Sequence, residues 1–221
     1  MVNMHLNREV ERLKKLLLKQ SLNIQEAVSK VLTAFTTNDL ELAFNVLEDD
    51  KKIDFCEVEI EEECLKILAL HQPVAGDLRY VITCLKVNND LERVGDLCCN
   101  IAIQCKTIIK NQGLQNGSTK NLELMFKEAS RMLNEALESL ISANKEKAAE
   151  ILIADDFVDD LYEKIHHKII EKIKENHNNV RYYLAIENIA RQVERMADYA
   201  TNICEDVIYM INGEICRHQD K

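Results

Sequence analysis

The chain has 221 residues, a formal net charge of −10, one proline and five glycines. So few turn-forming residues exclude a β-rich protein, and the acidic balance argues against nucleic acid or anionic lipid as a partner. Hydrophobic residues make up 47% of the chain and aromatic residues 5%, so we expect a core packed mainly with aliphatic side chains.

Apolar residues recur at intervals of three and four along the first half, which predicts amphipathic helices. Three helices are expected there, over residues 9–36, 39–71 and 73–111. Asn38 is predicted to cap the second helix, because an asparagine side chain accepts hydrogen bonds from the amides at a helix start. The Gln72–Pro73 pair ends that helix, and Pro73 is predicted to lie in the first turn of the third.

The second half repeats this organisation. A linker is predicted at residues 113–118, which contain Gly113 and Gly117. Three further helices are expected over residues 119–143, 145–176 and 180–212. Because the turns between helices are short, neighbouring helices must run antiparallel. The predicted fold is therefore all-α, with two tandem three-helix bundles formed by residues 1–112 and 119–214.

The two halves also resemble each other in sequence. A shift of 106 residues aligns Asp54 with Asp160, and from the third helix onward a shift of 102 residues aligns Glu92 with Glu194. We attribute the change of four to a shorter turn between the second and third helices of the second half. The matches include carboxylates, which packing does not require, and this is the first indication of a functional site.

Four helical segments contain an acid followed four residues later by aspartate. Side chains at i and i+4 lie on the same face of a helix, about 5–6 Å apart at Cβ, so the two like charges repel unless water or a cation compensates. Sets of carboxylates on bundle helices hold hard or borderline metal ions. The predicted metal ligands are Asp50, Asp54, Glu92, Asp96, Asp156, Asp160, Glu194 and Asp198.

The alternative for any single acid pair is a solvated face with local salt bridges, since Arg93 and Arg195 directly follow two of the acids. The fourfold occurrence of the pair in a duplicated chain favours the cation site. Gly-rich phosphate loops, a Ser/His/Asp order and a His-Glu-x-x-His motif are absent from the sequence. No catalytic residue and no organic cofactor is therefore predicted.

Other residues are weaker candidates. Glu163 and His166 match the Glu-x-x-His motif of ferritin-like di-iron bundles, but the first half lacks the second copy that such sites need. The eight cysteines form no Cys-x-x-Cys pair and are interpreted as reduced core residues. Cys98 and Cys99 as a reactive or metal-binding pair is the alternative. Arg79 fits a structural tie at the start of the third helix as well as a binding role.

The segment Gln72-Pro-Val-Ala-Gly-Asp-Leu-Arg79, followed by Leu91-Glu-Arg-Val-Gly-Asp96 and Asn100-Ile101, closely resembles the signature of the PhoU family. A second copy, Val193-Glu-Arg-Met-Ala-Asp198 with Asn202-Ile203, resembles the second repeat of that family. The resemblance covers residues 7–214. It departs from an even repeat at two positions, since Gly95 becomes Ala197 and Asp77 becomes Asn179.

The resemblance implies two three-helix bundles side by side. The same resemblance implies multinuclear iron or zinc clusters on the eight acids named above, with Asp50, Asp54, Glu92 and Asp96 as the ligands in one half and Asp156, Asp160, Glu194 and Asp198 as the ligands in the other. It also implies a regulator rather than an enzyme. Such a regulator restrains the high-affinity phosphate importer and starvation signalling when phosphate is plentiful, through contacts with the importer's ATPase subunit and a membrane sensor histidine kinase. A homodimer is expected as well. Two alternatives stay open: an accessory protein of a different phosphate or cation transporter, and a carboxylate-bridged metalloenzyme in a helical bundle.

The expected location is the cytoplasm. Residues 1–18 contain charged side chains throughout and lack the apolar segment of a signal peptide. No apolar run approaches the ~20 residues that a membrane-spanning helix needs. Contact with membranes is therefore expected only through membrane-bound partner complexes.

Overall fold

The structure is a computed structural model that describes residues 2–110, 120–175 and 177–213. These residues form six α-helices and a 3₁₀ turn, His177–Asn179, before the last helix. The helices are α1 (Val2–Thr37), α2 (Leu40–His71), α3 (Ala75–Lys110), α4 (Lys120–Ser142), α5 (Lys145–Glu175) and α6 (Val180–Asn212). The all-α prediction is confirmed, although α1 begins seven residues earlier than predicted. The linker predicted at residues 113–118 lies outside the described residues.

The helices form two antiparallel three-helix bundles that lie side by side. In the first bundle α1, α2 and α3 contact one another, and in the second α4, α5 and α6 do so. Lys66 on late α2 pairs with Glu9 on early α1 at 2.8 Å, which shows the antiparallel course of these two helices. The bundles meet mainly where α3 packs against α6, with a smaller contact of α1 with α4, where the rings of Phe35 and Phe126 are 6.2 Å apart.

Two polar contacts tie α3 to α6. Arg79 Nε donates to the carbonyl oxygen of Met210 at 3.0 Å, which confirms the structural tie considered from the sequence. Lys86 Nζ lies 3.1 Å from Asp206 Oδ1, and the side chain of Asp206 is 2% exposed. Burying a carboxylate is costly unless a charged partner accompanies it, so Lys86 is what makes Asp206 tolerable at this interface.

The turn before α2 corrects the predicted cap. Asp39, rather than Asn38, is the N-cap of α2, and its Oδ1 accepts a hydrogen bond from the amide of Leu42 at 2.9 Å. Asn38 adopts a left-handed conformation with a φ of 56°. A residue with that backbone conformation cannot belong to a right-handed helix, but it reverses the chain direction so that the next residue can cap.

The turn between α2 and α3 also differs from the prediction. α2 ends at His71, as expected, and Gln72 follows in the left-handed conformation. Pro73 is buried but precedes α3, which begins at Ala75. Ala75 itself has a φ of 48°, so the right-handed helical path cannot extend back to Pro73. The prediction that Pro73 lies in the first turn of the third helix is therefore wrong.

Burial corrects the register of the internal repeat. The buried α2 residues Ala43, Val46, Ile53, Cys56, Ile60 and Cys64 recur 105 residues later as the buried α5 residues Ala148, Ile151, Val158, Leu161, Ile165 and Ile169. The turns agree, because Asn144 caps α5 through the amide of Lys147 as Asp39 caps α2. The predicted shift of 106 is therefore wrong by one residue, whereas the shift of 102 between α3 and α6 agrees with their burial.

A difference of one residue in the alignment matters because successive side chains on a helix point about 100° apart. Under the corrected register, Asp50 and Asp54 of α2 correspond to Asp155 and Asp159 of α5, not to Asp156 and Asp160. An alignment that matches identical acids selects the wrong pair here, because α5 contains acids at all four of these positions. The buried positions decide between the two registers, since they must face the same core.

Candidate functional site

In the first bundle, acids of α2 and α3 lie beside each other where the two helices come close. We call Asp50, Asp54, Glu92 and Asp96 the first acid face. The antiparallel helices are aligned there by Asn88, whose Nδ2 donates to the carbonyl oxygen of Glu57 at 2.9 Å. A Cβ added to Gly95 would lie 3.3 Å from Asp50 Oδ1 and 3.1 Å from Ile53 Cδ1, so a glycine is what allows this approach.

Asp50 is half-buried between the helices. Burial raises the pKa of its carboxyl group above the usual range, and the neighbouring Asp54 and Asp96 raise it further. The thiol of Cys99 donates a hydrogen bond to Asp50, which partly offsets these effects. Asp50 is therefore an acid whose charged form is disfavoured by its surroundings and would be stabilised by a nearby cation.

Glu92 and Asp96 lie one turn apart on α3. Burial and the charge of Asp96 raise the pKa of Glu92, with smaller contributions from Glu57 and Asp54 of α2. Arg93 moderates this repulsion, because its guanidinium lies 3.4 Å from Glu92 Oε2 and 3.2 Å from Asp96 Oδ2. The prediction that acids of α2 and α3 share one face is therefore supported by the field that each exerts on the others.

The α5 acids that lie beside α6 in the second bundle are not the pair predicted from the sequence. Burial, then Asp198, then Asp159 and Asp155, raise the pKa of Glu194 to about 7. We call Asp155, Asp159, Glu194 and Asp198 the second acid face. Asp156 and Asp160 are exposed, and Asp160 lies 3.9 Å from Lys164 of its own helix. Those two side chains point away from α6, because each is one residue further around α5.

Ala197 of α6 replaces Gly95 of α3 in the second repeat, and a smaller residue on the facing helix compensates for the added methyl group. Ile53, which contacts the position of Gly95, corresponds to Val158, and Val158 and Ala197 are both fully buried. The second bundle thus has one methyl group fewer on α5 and one more on α6. Such a volume-conserving exchange preserves packing and places α5 and α6 close enough to share an acid face.

The donor chemistry of both faces fits a hard or borderline cation. Each face offers four carboxylates from two helices. The pKa values of Asp50, Glu92 and Glu194 are raised first by burial and then by the neighbouring acids, and a bound cation would favour the charged forms of all three. As placed, no three Asp, Glu, His or Cys side chains within the described ranges converge enough to enclose one ion. An ion would therefore bind on an open surface after rotation of the acid side chains.

His166 belongs to a different cluster on the α5–α6 seam. Its Nδ1 lies 2.9 Å from Glu187 Oε1, and the hydroxyl of Tyr162 donates to the same oxygen at 3.1 Å. Under the corrected register its first-half counterpart is Glu61 rather than Ile60, so a second Glu-x-x-His motif is still missing. The cluster fastens α5 to α6 and does not extend to the second acid face.

The described cysteines are free thiols, and all but Cys99 are buried; Cys216 lies outside the described residues. Cys98 is fully buried, and burial raises its pKa well above the usual range, so its thiol is an inert part of the core. Cys99 is half-buried beside Asp50. The two adjacent cysteines therefore point in different directions and do not form the pair considered from the sequence.

The family comparison accounts for this duplicated architecture. A family model described as "PhoU domain" matches residues 6–104 and 122–207. The chain belongs to the PhoU family. The two matched ranges coincide with the two bundles, and each contains one acid face. This confirms the family suggested by the motifs around Arg79 and Asp96. Within the described ranges, no helix of this PhoU-family chain is both long and apolar enough to cross a membrane.

Relatives match over nearly the full length of the chain. It is 34% identical over 212 residues to "Phosphate-specific transport system accessory protein PhoU homolog 1" of Thermotoga maritima, which covers 96% of this chain and 91% of the relative. It is 30% identical over 213 residues to "Phosphate-specific transport system accessory protein PhoU" of Escherichia coli, covering 96% of this chain and 87% of that protein.

Crystal structures of family members have the same fold. PhoU from Pseudomonas aeruginosa superposes with a TM-score of 0.90 at 29% identity, covering 94% of this chain and 99% of that one. The phosphate transport system regulatory protein PhoU from Streptococcus pneumoniae superposes with a TM-score of 0.87 at 29% identity, covering 97% and 99%. The arrangement of six helices in two bundles is therefore that of the family.

Three features of the site were not predicted from the sequence, namely Asp155, Asp159 and the contact of Cys99 with Asp50. The first two could have been found by aligning apolar positions, since Ile53 and Val158 face the core in both halves. The contact of Cys99 had no signal in the sequence. It depends on how closely α2 and α3 approach at Gly95, which is a property of the packed helices.

Proposed function

We propose that the chain is an accessory protein of a phosphate transport system that restrains high-affinity phosphate uptake and starvation signalling when phosphate is plentiful. The observation that carries this proposal is the match of both bundles to the PhoU domain, together with relatives named as accessory proteins over more than nine-tenths of this chain. The partners would be the transporter's ATPase subunit and a membrane sensor histidine kinase, met at the cytoplasmic side. The role is regulatory rather than catalytic.

We further propose that the two acid faces hold iron or zinc, in clusters of more than one ion. The support is the donor set, since carboxylates from two helices face each other with their charged forms disfavoured. A bound cation would neutralise this repulsion and supply positive charge at the surface of each bundle. Under this proposal the first acid face, with Asp50 and Glu92, and the second, with Asp155 and Glu194, would each bind metal.

The chain's own residues prepare these faces. Helices α2 and α3 hold Asp50 and Glu92 in fixed positions, because the buried side chains between them lock both helices. Arg93 keeps Glu92 and Asp96 oriented on the same surface. When the bound metal ions carry more positive charge than the acids carry negative charge, the face would attract carboxylates or phosphates on a partner surface.

The regulatory proposal is tested by deleting the gene in its own host and measuring a phosphate-starvation reporter during growth in excess phosphate. We expect the reporter to switch on in the deletion strain and to be silenced again by the plasmid-borne gene. A reporter that stays silent would contradict the proposal and favour an accessory role at a different transporter. Phosphate uptake measured in the same strains separates the transporter from the kinase branch.

A further inference from the structure

The first bundle has a groove with a positive lining on its outer surface, between α1 and α2. The groove has a volume of about 410 Å³ and is lined by Lys19, Asn23, Lys51, Lys52 and Phe55. We call these five residues the basic groove. Three lysines in one groove are unusual on a chain whose net charge is −10, and none of the five residues belongs to an acid face. The groove is therefore a candidate site of its own.

Large apolar side chains are exposed in and beside the basic groove. Phe55 is 65% exposed, and Val58, one turn further along α2, is 49% exposed. On α1, Leu22 lies one turn from Lys19 and is 64% exposed. A single exposed apolar residue is common on a folded protein, whereas several that adjoin charged side chains mark a surface that binds a partner.

The internal repeat identifies the positions in the second bundle that correspond to the basic groove. The shift of 105 residues that relates α2 to α5 also relates the buried residues of α1 to those of α4. Three such pairs are Leu17 with Leu122, Ile24 with Ala129, and Val28 with Leu133. Both helices that line the groove therefore have counterparts whose buried sides match.

The counterpart of the basic groove has the opposite charge. The five positions that correspond to the groove residues are Leu124, Glu128, Asp156, Phe157 and Asp160. Three positive charges are thus replaced by three negative charges, although the buried sides of the same helices agree. Packing therefore does not require the lysines of the groove, which belong to the solvent side of the first bundle alone.

The lysines of the basic groove already have acidic neighbours, but these contacts do not prevent a ligand from binding. Lys52 lies 2.6 Å from one carboxylate oxygen of Asp49, and Lys30 lies 2.6 Å from the other. A hydrogen bond from Lys30 is the largest cause of the lowered pKa of Asp49, so Asp49 keeps a cationic partner when Lys52 turns away. Lys19 lies 2.9 Å from Glu59, in a pair that is too exposed to contribute much stability.

Shape and charge determine which ligand fits the basic groove. A concave surface does not meet a flat bilayer, and the net charge of −10 opposes the approach of anionic lipid and nucleic acid. A peptide segment can enter a groove, and the lysines would attract its carboxylates. An apolar side chain of the same segment would leave water against the ring of Phe55. The groove therefore fits a protein segment that combines carboxylates with one large apolar side chain.

We propose that the basic groove binds an acidic segment of a partner protein. A large apolar side chain of that segment packs on Phe55, and its carboxylates pair with the three lysines. The proposal rests on the proposed function in one respect, because the partner would be a component of the phosphate transport or signalling system. It adds the surface of this chain and the chemistry by which that partner is bound.

The binding test uses short synthetic peptides with a fluorescent label, which are titrated with the full-length protein and followed by fluorescence anisotropy. The first peptide has glutamates on both sides of a central phenylalanine. In the second peptide alanine replaces the phenylalanine, and in the third glutamine replaces each glutamate. A chelator keeps the buffer free of metal, so that metal on the acid faces does not attract the glutamates.

Two variants of the protein alter the basic groove. Lys51→Glu with Lys52→Glu reverses its charge, and Phe55→Ala removes the ring. The control variant, Lys110→Glu with Lys174→Glu, makes the same change in net charge in the last turns of α3 and α5, outside the groove. Circular dichroism verifies that each variant is folded, which we expect because all five side chains are exposed.

We expect the first peptide to bind the wild type and the control variant with equal affinity. The second and third peptides should bind the wild type at least about tenfold more weakly, because each lacks either the apolar contact or the ion pairs. The two groove variants should bind the first peptide at least about tenfold more weakly for the same reasons. Added salt should weaken the binding of the first peptide, since it screens exposed charges.

The same variants are tested in cells that lack the chromosomal gene and contain the phosphate-starvation reporter. In excess phosphate, we expect the control variant to silence the reporter and both groove variants to leave it switched on. If the reporter is silent in the deletion strain itself, the proposed function fails. The peptide titrations then still decide what the groove binds, so the two failures are distinguishable.

Several results would overturn the proposal. Failure of the first peptide to bind the wild type would do so, as would equal affinities for the three peptides or for the wild type and the groove variants. Complete silencing of the reporter by both groove variants would show that the regulatory partner does not use the groove. Binding of the wild type to phosphatidylserine vesicles, without binding of the first peptide, would assign the groove to a membrane.

Discussion

The two acid faces are copies of one motif, yet they differ in the groups that lie beside the acids and in the influence of burial on those acids. On the first face, Arg93 contacts both Glu92 and Asp96, and the thiol of Cys99 donates to Asp50. On the second face, Thr201 occupies the position of Cys99, and Glu194 has its pKa raised to about 7 by burial and three aspartates. A duplicated motif therefore keeps its acids while the neighbouring side chains set how strongly each acid resists ionisation.

The two bundles share some features of the repeat and differ in others. Both bundles preserve the buried positions and the meeting of acids from two helices. They differ in the pair Ile53 and Gly95 against Val158 and Ala197, and in the groups that moderate the acids. The faces are thus expected to differ in cation affinity and pH response although they share their ligand type.

The largest expected effect tests which α5 acids belong to the second face. Asp155→Asn with Asp159→Asn should remove the metal of the second bundle, because both side chains contribute to the field at Glu194. The matched variant Asp156→Asn with Asp160→Asn removes the same charge from the exposed side of α5 and should retain the metal. Metal bound to purified protein is measured by mass spectrometry, with Asp50→Asn and Asp54→Asn as the first-face equivalent.

Equal metal loss in the two α5 variants would contradict the corrected register. Unchanged metal content in every variant, including the first-face one, would contradict the proposed metal site as a whole. Helicity by circular dichroism should change little in any of them, since the substituted side chains are at least partly exposed.

A smaller effect tests the compensated packing beneath the acid faces. Gly95→Ala should destabilise the protein by about 1 kcal/mol, because the new Cβ meets Ile53 at 3.1 and 3.2 Å and this crowding exceeds the gain in helix propensity. Adding Ile53→Val creates the pair found in the second bundle and should recover most of that loss. Urea denaturation of the four proteins in this cycle measures the coupling free energy.

A coupling near zero would show that Gly95 is retained for a reason other than the volume of Ile53. The control is Ala197→Gly, which lacks such crowding. It should cost about 2 kcal/mol, about half from the lower helix propensity of glycine and about half from the loss of a buried methyl group.

A third prediction concerns how the ionisation of Glu194 makes the stability of the protein depend on pH. Its folded-state pKa of about 7 lies above the ordinary value of 4.5, so the folded protein binds more protons than the unfolded chain between these values. Stability in metal-free buffer should therefore fall as the pH rises from about 4.5 to about 7, by about 1 kcal/mol after allowance for solvent screening. Glu194→Gln should remove this part of the pH dependence.

The measurement is the urea midpoint of wild type and Glu194→Gln across that pH range. We expect Glu194→Gln to be the more stable protein above pH 7 and the difference to vanish near pH 4.5. The matched first-face variant Glu92→Gln should gain less, because Arg93 lowers the pKa of Glu92 by more than either α2 acid raises it, whereas Arg195 is the weakest of the influences on the pKa of Glu194. A gain in Glu92→Gln as large as in Glu194→Gln would contradict the difference drawn between the faces.

The sequence predicts helices and their ends well where local chemistry decides. α2 ends at His71 because Gln72 precedes a proline, and α6 matches its predicted range of 180–212. The cap at Asp39 was misassigned to Asn38, since both residue types cap and only the backbone shows which of them turns left-handed. The left-handed backbone of Ala75 could not be predicted, because alanine as a residue type does not indicate that conformation.

By itself, the sequence determines the all-α class, the duplication, the family and the presence of repeated acids, because periodicity and local motifs are written along the chain. The tertiary structure alone decides which acids meet, since Asp155 and Asp156 differ only by a rotation of about 100° around α5. That rotation is set by Val158 and the other buried residues facing the core. The close approach of Asp50, Cys99 and Gly95 likewise follows from the spacing of two packed helices.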